Sequence, residues 1–486
     1  MEQQQLLNRL EQLSNFVLEH QQPNGELDME EAHFLYPTGI NMRGLAAAYK
    51  ITGRQIYLDA ILKWTDRVFS QQNQDGSFWA SSVQLDQSYG RFVSDTANGM
   101  NVAFNILSYL DPRRKEQYLQ AIQKFAAWTV QGDEGRPFLL DNGAIGCGTY
   151  ADDKEKGRHE CLECTAISPC TFLTPYYKLT RDDRYLQIST RAVQYILSKQ
   201  KDSGIYPYIS KTWNEVDPQG DQIIHVLNYV LEGLIYYYEH SGIEFFDPLA
   251  TSIRHSVKKS CQWLVENQKE DGRWNDEALG NNASKSAGLV LPLVWYVRTS
   301  GQEASFKNDL PRVKNAIDKA AGFLLSDSAI DNYGVLKLVR QNGFGLIALA
   351  EIVEPGSTLY LDPTETSIPD QTHSSGASFA MDLLCQLPEV ESPFPQMKGW
   401  VQQGKDVQVV FWQSDDGCTC GTHAHPYPEW GTIVSGHTEV QVNGETKTYR
   451  QGDSFYIPAN AAHSATMSKN YRAIDLFGSP NHVKVK

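Results

Sequence analysis

The sequence predicts two unlike domains: an all-α toroid of six helical hairpins, (α/α)6, over residues 1–385, and a small all-β barrel over residues 405–486, joined by a linker at 386–404. Three observations predict this. Six glycine-centred loops punctuate a helical pattern at intervals of about 50 to 70 residues, the length of one helical hairpin. Amphipathic segments alternate with segments that are apolar nearly all round. Past residue 405 the hydrophobic period drops to two.

The loops, in order, are Gln21 to Gly25, Gln74 to Trp79, Asp133 to Gly135, Lys201 to Gly204, Glu270 to Trp274 and Asp331 to Gly334. Segments before them, such as Tyr57 to Trp64 and Tyr185 to Ala192, carry apolar residues three and four apart and read as outer helices with one wet face. Segments after them, Gly44 to Tyr49, Ala97 to Leu110, Ala166 to Leu179, Ile223 to Tyr238, Ala287 to Val297 and Phe344 to Ile352, read as buried inner helices. Leu387 to Lys405, rich in Pro, Glu, Gln and Gly, reads as the linker. The runs Val407 to Trp412, Thr438 to Val442 and Ser454 to Ile457 are strands, and Asn443-Gly444 marks a hairpin.

The 486 residues hold 43 Lys+Arg against 58 Asp+Glu, a formal charge of -15, which disfavours a nucleic acid, an anionic membrane or a long acidic polymer as partner. The opening Met1-Glu2-Gln3-Gln4-Gln5 has neither the basic region nor the apolar core of a secretory signal. The longest apolar run, Ala287 to Val297, is well short of the ~18 residues that span a bilayer. A cytoplasmic location is therefore expected. The eight cysteines are too sparse for a disulfide framework. Cys161-x2-Cys164, with His159 beside it and Cys147 and Cys170 nearby, has metal-ligand spacing, with buried free thiols as the alternative.

The phrases Ala48-Tyr49-Lys50-Ile51-Thr52-Gly53 and Tyr177-Lys178-Leu179-Thr180-Arg181-Asp182, each followed closely by Tyr-Leu, resemble a phrase of toroidal carbohydrate enzymes such as sugar 2-epimerases and unsaturated-uronyl hydrolases. That resemblance spans most of residues 1–385 and implies a toroid acting on a small sugar or oligosaccharide, with a uronate-containing one favoured. Hydrolysis, elimination and epimerisation share the same acid, base and cation, and the hydrolase or lyase branch is preferred. The Gln and Asp-Gly loops also resemble repeats of terpenoid cyclases, and Ser94-Asp95-Thr96-Ala97 partly matches the Asp-x-Asp-Asp-Thr-Ala motif of protonating cyclases. Phe92 and Ser94 stand where its first two acids belong, so the proton donor is missing.

Polar residues at the starts of the inner helices converge on one mouth of a toroid. Asp95 and Asp221 are the candidate catalytic carboxylates, with N-capping as their structural alternative. His225, one helical turn after Asp221, is the next proton-transfer candidate. His33, Asn41, Arg43, Asn98, Trp213 and Arg340 are the candidate substrate-binding residues, the two arginines suited to grip a carboxylate or, alternatively, to pair with a neighbouring helix. Glu160, Glu163, Lys285 and Asn342 complete the set.

In the C-terminal region, Gly417-x5-His423-x-His425-x3-Glu429-x6-Gly436 matches the first cupin motif, and Gly452-x5-Pro458-x4-His463 most of the second. Asn460 replaces the usual Gly and Met467 the closing Asn. The resemblance implies His423, His425, Glu429 and His463 as ligands of a divalent metal, Zn, Fe, Ni or Mn, with positions open to water or ligand. It also admits a homodimer through the cupin. A metal-dependent cupin enzyme or sensor, with the toroid as scaffold, is the alternative to chemistry in the toroid.

Overall fold

The computed structural model describes residues 3–28, 35–80, 90–151, 153–210, 215–217, 223–274, 287–299, 308–331, 333–359, 387–392 and 394–486. The chain divides into two compact units, Met1–Thr366 and Ser367–Lys486.

The first unit is built from hairpins of an outer and an inner helix. The outer helices are Gln3–Glu19, Gln55–Phe69, Pro112–Gln131, Asp183–Leu197, Pro248–Asn267 and Leu310–Leu325. Each buries one stripe; Asp183–Leu197 buries Ser189, Ala192, Val193, Tyr195 and Ile196 and leaves its other face wet. Asp111, Asp182 and Asp247 cap three of them, each carboxylate accepting a backbone N–H two or three residues on. The inner helices are Leu35–Thr52, Val93–Ile106, the run 162–180, Ile223–His240, Val290–Thr299 and Val339–Val353. They pack on one another in ring order, and the last closes on the first. This is the six-hairpin toroid. Pro169 lies inside the run 162–180, where its ring cannot fit under an α-helical carbonyl, and there the helix widens to a π-helix over Ala166–Leu173.

Five glycine loops share one construction. The glycine (Gly25, Gly76, Gly143, Gly204, Gly272) has φ between 91° and 98°. A Cβ there would fall 2.1–2.5 Å from a backbone carbonyl of the next outer helix, at Lys63, Lys124, Arg191, Lys259 and Lys319 respectively. Only glycine allows that approach. In four loops a glutamine four residues earlier (Gln21, Gln72, Gln200, Gln268) clamps the pair, its Nε2 donating both to the glycine carbonyl and to a carbonyl of the next outer helix at 2.8–3.2 Å. Two expected loop centres differ. The third loop is centred on Gly143, because Gly135 faces open space, and Gly334 meets only the side chain of Leu338.

The second unit is two antiparallel sheets, with strand orders 445–450, 437–442, 463–467, 418–423 and 454–457, 429–435, 471–477, 408–414, 398–403. Lys398–Gln403 falls where composition suggested linker, but it pairs along its length with Gln408–Ser414. Pairing, not composition, decides the edge of the barrel. The Asn443-Gly444 hairpin forms as expected, with φ of 51° and 90° at its two turn residues. Among the described residues no helix is long and apolar enough to cross a membrane.

Candidate functional site

The barrel brings all four expected ligands together. His463 is paired directly with His423 across the sheet, and Glu429 opens the strand Glu429–Ser435 in the other sheet. The strand carrying His423 ends there, so His425 lies in the following loop rather than two places along the strand. Even so, ligand nitrogens of His423, His425 and His463 lie within 4.8 Å of one another. Glu429 Oε2 is 3.0 Å from His425 Nε2 and 3.7 Å from His463 Nε2.

Backbone carbonyls hold the three rings. Nδ1 of His423 faces the Gly421 carbonyl at 3.0 Å, that of His425 the Tyr427 carbonyl at 2.6 Å, and that of His463 the Ala461 carbonyl at 2.9 Å. A carbonyl only accepts, so each Nδ1 carries the hydrogen, and each Nε2 is the nitrogen left to bind at the centre. Asn460 sustains this arrangement. It adopts the left-handed φ of 64° that a glycine would, and its N–H donates to the His425 carbonyl at 2.8 Å.

Charge in the site follows from burial and pairing. The hydrogen bond to Glu429 raises the His425 pKa. Burial lowers that of His463. His482, stacked on Phe477 at 3.5 Å between ring centres, is pushed down to about 4, by burial first and by the three neighbouring histidines second. Asp475 is buried, its carboxyl raised by burial and by the Glu429 charge. The cavity around these groups measures about 780 Å³ and is walled by Trp412, Phe455, Met467, Tyr471 and Asp475. Three imidazoles and a carboxylate suit a borderline divalent metal.

Residues 410–474 match the family described as Cupin domain. The barrel is a cupin. Among solved structures, the KdgF of Halomonas sp. is 27% identical over 19% of this chain and 88% of its own, with a TM-score of 0.18. An RmlC-like cupin of Shewanella frigidimarina is 27% identical over 22% and 94%, with a TM-score of 0.19. A possible member of the GH105 family from Salmonella enterica serovar Paratyphi A is 13% identical over 73% of this chain and 94% of its own, with a TM-score of 0.52. At that identity the likeness is one of fold, and it is the fold of the toroid. No curated protein matches the chain.

The sequence missed three residues of the cupin pocket: Tyr471, Asp475 and His482. For Asp475 there was a signal. Tyr471–Phe477 buries alternate residues, and an acid at an inward position of such a strand needs a reason.

In the toroid, Asp95 stands apart. Every residue of Val93–Ile106 is buried except Asp95, which sits half-buried in the first turn, while Phe92 holds the N-cap position. Its charge is felt by the phenol of Tyr150, whose ring lies 4.8 Å from that of Phe92. Asn98 is buried one turn on and donates to the Ser94 carbonyl at 3.3 Å. Arg340 is half-buried in the first turn of Val339–Val353.

Two expected substrate contacts are instead internal. Arg43 is bonded to Glu232 and donates to the Tyr236 hydroxyl at 3.2 Å. Burial by itself opposes its charge, but those two partners outweigh burial and keep the guanidinium protonated. The space beside this pair holds only about 10 Å³. Asn41 donates to the carbonyls of Pro37 and Val339, and Asn342 donates to Asn41 Oδ1 and to the Leu13 carbonyl, at 2.7–3.1 Å. These side chains staple helices. Glu160 accepts from Asn142, and Glu163 is half-buried. His33, Trp213, Asp221 and Lys285 lie outside the described residues, as does the side chain of His225 on Ile223–His240.

Proposed function

We propose that the protein is a carbohydrate-active enzyme of glycoside-hydrolase type, whose toroid cleaves a small, uronate-containing sugar by hydrolysis or elimination and whose cupin binds a divalent metal. The carrying observation is Asp95, the single residue of a fully packed inner helix that is not buried. A carboxylate kept at the start of such a helix serves as one member of an acid-base pair, with Asp221 as the expected second. Arg43 is committed to Glu232, so a substrate carboxylate would fall to Arg340.

Uronide oligosaccharides test this through the absorbance of the conjugated unsaturated uronate, which rises for a lyase and falls for an unsaturated-uronyl hydrolase. Asp95→Asn should abolish the change. A flat signal over a broad panel overturns the reading.

One observation favours a second reading, with the chemistry in the cupin: its cavity is about 780 Å³, against about 10 Å³ beside Arg43. A bound metal would supply a Lewis acid there. The chain itself would contribute a neutral Asp475 and the Tyr471 hydroxyl as hydrogen-bond donors to the ligand. Under this reading His463→Ala removes turnover and Asp95→Asn leaves it.

A further inference from the structure

The sulfur atoms of Cys147, Cys161 and Cys164 lie within 4.8 Å of one another, and all three residues are buried. They come from two places in the chain. Cys147 is in a loop, Cys161 is the N-cap of the short helix Leu162–Thr165, and Cys164 lies inside it. His159, the expected companion, is exposed and outside the cluster.

Lone core thiols in the same unit behave differently. Cys170 and Cys261 each donate to a backbone carbonyl, of Thr165 at 3.7 Å and Pro292 at 3.5 Å. In the trio the sulfurs face one another: Cys164 Sγ is 3.3 Å from Cys147 Sγ, and the Cys164 N–H donates to Cys161 Sγ at 3.4 Å. Hydrogen bonding to Cys147, together with burial, pushes the Cys161 and Cys164 thiols well up, so without a cation beside them they hold their protons.

The scaffold around them is tied down. The Cys147 carbonyl accepts from Val93 N–H, Cys161 N–H donates to the Ile145 carbonyl, and Thr165 Oγ1 joins both strands of the turn by donating to the Cys161 carbonyl and accepting from Ile145 N–H, all at 2.6–3.2 Å. Glycines flank Cys147 on both sides. A Cβ on Gly146 would meet the Gly157 carbonyl at 2.2 Å, and one on Gly148 the Arg91 carbonyl at 2.2 Å. The loop is therefore held at one distance from its neighbours, which is what a preformed ligand set needs.

We propose that Cys147, Cys161 and Cys164 bind a zinc ion in the wall of the toroid, through three thiolates with a fourth position open. Tetrahedral zinc with sulfur at ~2.3 Å places its sulfurs roughly 3.8 Å apart, so the trio closes on the metal with small side-chain movements. Binding releases the thiol protons to solvent, and the dication compensates charges that could not otherwise be buried together. No fourth His, Cys or carboxylate joins the cluster among the described residues. The fourth position goes to water or a ligand, beside Ser94, whose Oγ lies 3.5 Å from Cys164 Sγ. The proposal does not rest on the cupin or on the reaction proposed for the toroid, although Tyr150 feels the charges of both this trio and Asp95.

The test uses the full chain carrying His423→Ala and His463→Ala, so that zinc in the cupin does not obscure the count. One equivalent should survive dialysis, and cobalt in its place should give sulfur-to-metal charge-transfer absorption. Cys161→Ser should weaken zinc binding at least about 100-fold, more than losing an outer-shell partner costs. Cys170→Ser, a buried thiol outside the trio, should leave it unchanged. Circular dichroism of each variant separates lost binding from lost folding, and the cobalt spectrum of the parent needs no cysteine variant. Absence of the cobalt–sulfur band, or a Cys147–Cys164 disulfide in the freshly isolated protein, overturns the proposal.

Discussion

Arg43 and Asn342 in the toroid are no more exposed, at 2% and 0%, than His425 and His463 in the cupin, at 7% and 3%. Their surroundings are opposite. Arg43 and Asn342 bond to other helices, Arg43 beside a space of only about 10 Å³, whereas His425 Nε2 meets Glu429 and His463 lines a cavity of about 780 Å³. Burial of a polar side chain thus says only that it has partners. What separates a staple from a ligand is whether any bonding position is left over once the backbone has been served.

The largest effect should come from Glu232→Ala. It leaves the Arg43 charge buried with, among the described residues, a tyrosine hydroxyl, and breaking such a pair costs about 3–5 kcal/mol. Urea unfolding of the helical unit, followed by near-ultraviolet circular dichroism, measures it. A loss under 1 kcal/mol would mean that Arg43 has water or another partner, and would return it to the substrate-binding candidates.

Next comes metal in the cupin. His463→Ala should take bound metal from about one per chain, in protein whose three clustered cysteines are serine, to near zero. At a metal concentration one hundred times Kd the parent should gain about 2.7 kcal/mol of stability in the barrel and the variant none. A variant that still binds would show that the imidazoles are packing groups, as the toroid asparagines are.

The pH dependence of the chelated protein sharpens the same contrast. His482 is held at about 4 by burial and by its histidine neighbours, while an unfolded histidine titrates near ~6.5. Between those values the unfolded chain takes up a proton that the folded barrel refuses, so stability is lost as pH falls through that window and is unaffected above it. Allowing for partial exposure, the loss is about 2 kcal/mol. His482→Phe, which keeps the stack on Phe477, should flatten the slope. An unchanged slope would assign the titration to another group.

How much of this was legible in the sequence depended on the element. On and beside a strand, spacing fixes direction, so His423, Glu429 and His463 were readable as a set, and even the unusual Asn460 could be understood once its φ was known. At the start of a buried helix the same residue types serve packing equally well, and Arg43, Asn41 and Asn342 turned inward to neighbours far away in sequence. The six hairpins were legible from glycine because the loops repeat. Asp133 to Gly135 misled since Gly135 itself faces open space, whereas Asn142-Gly143, a turn signal that went unused, is fixed by its contact with Arg191. Lys398–Gln403 was hidden by its glutamines, and only pairing revealed it.

The smallest effect is expected in the glutamine clamps, which test whether the toroid is held as a sum of local repeats. Gln268→Ala removes two hydrogen bonds, to the carbonyls of Gly272 and Ala316, but both acceptors are part-buried and water can replace some of the loss. A net cost of about 1 kcal/mol follows. Gln200→Ala should cost about the same or slightly more, through Gly204, Ser256 and the Ser260 hydroxyl. Both clamps touch the helix Pro248–Asn267, Gln200 at Ser256 within it and Gln268 at its C-cap, but they share no partner residue, so the double variant should equal the sum within about 0.5 kcal/mol. A larger coupling would show that the ring strains as one body, and then the starts of its inner helices, Asp95 among them, would be positioned by the whole toroid rather than by the hairpin that carries them.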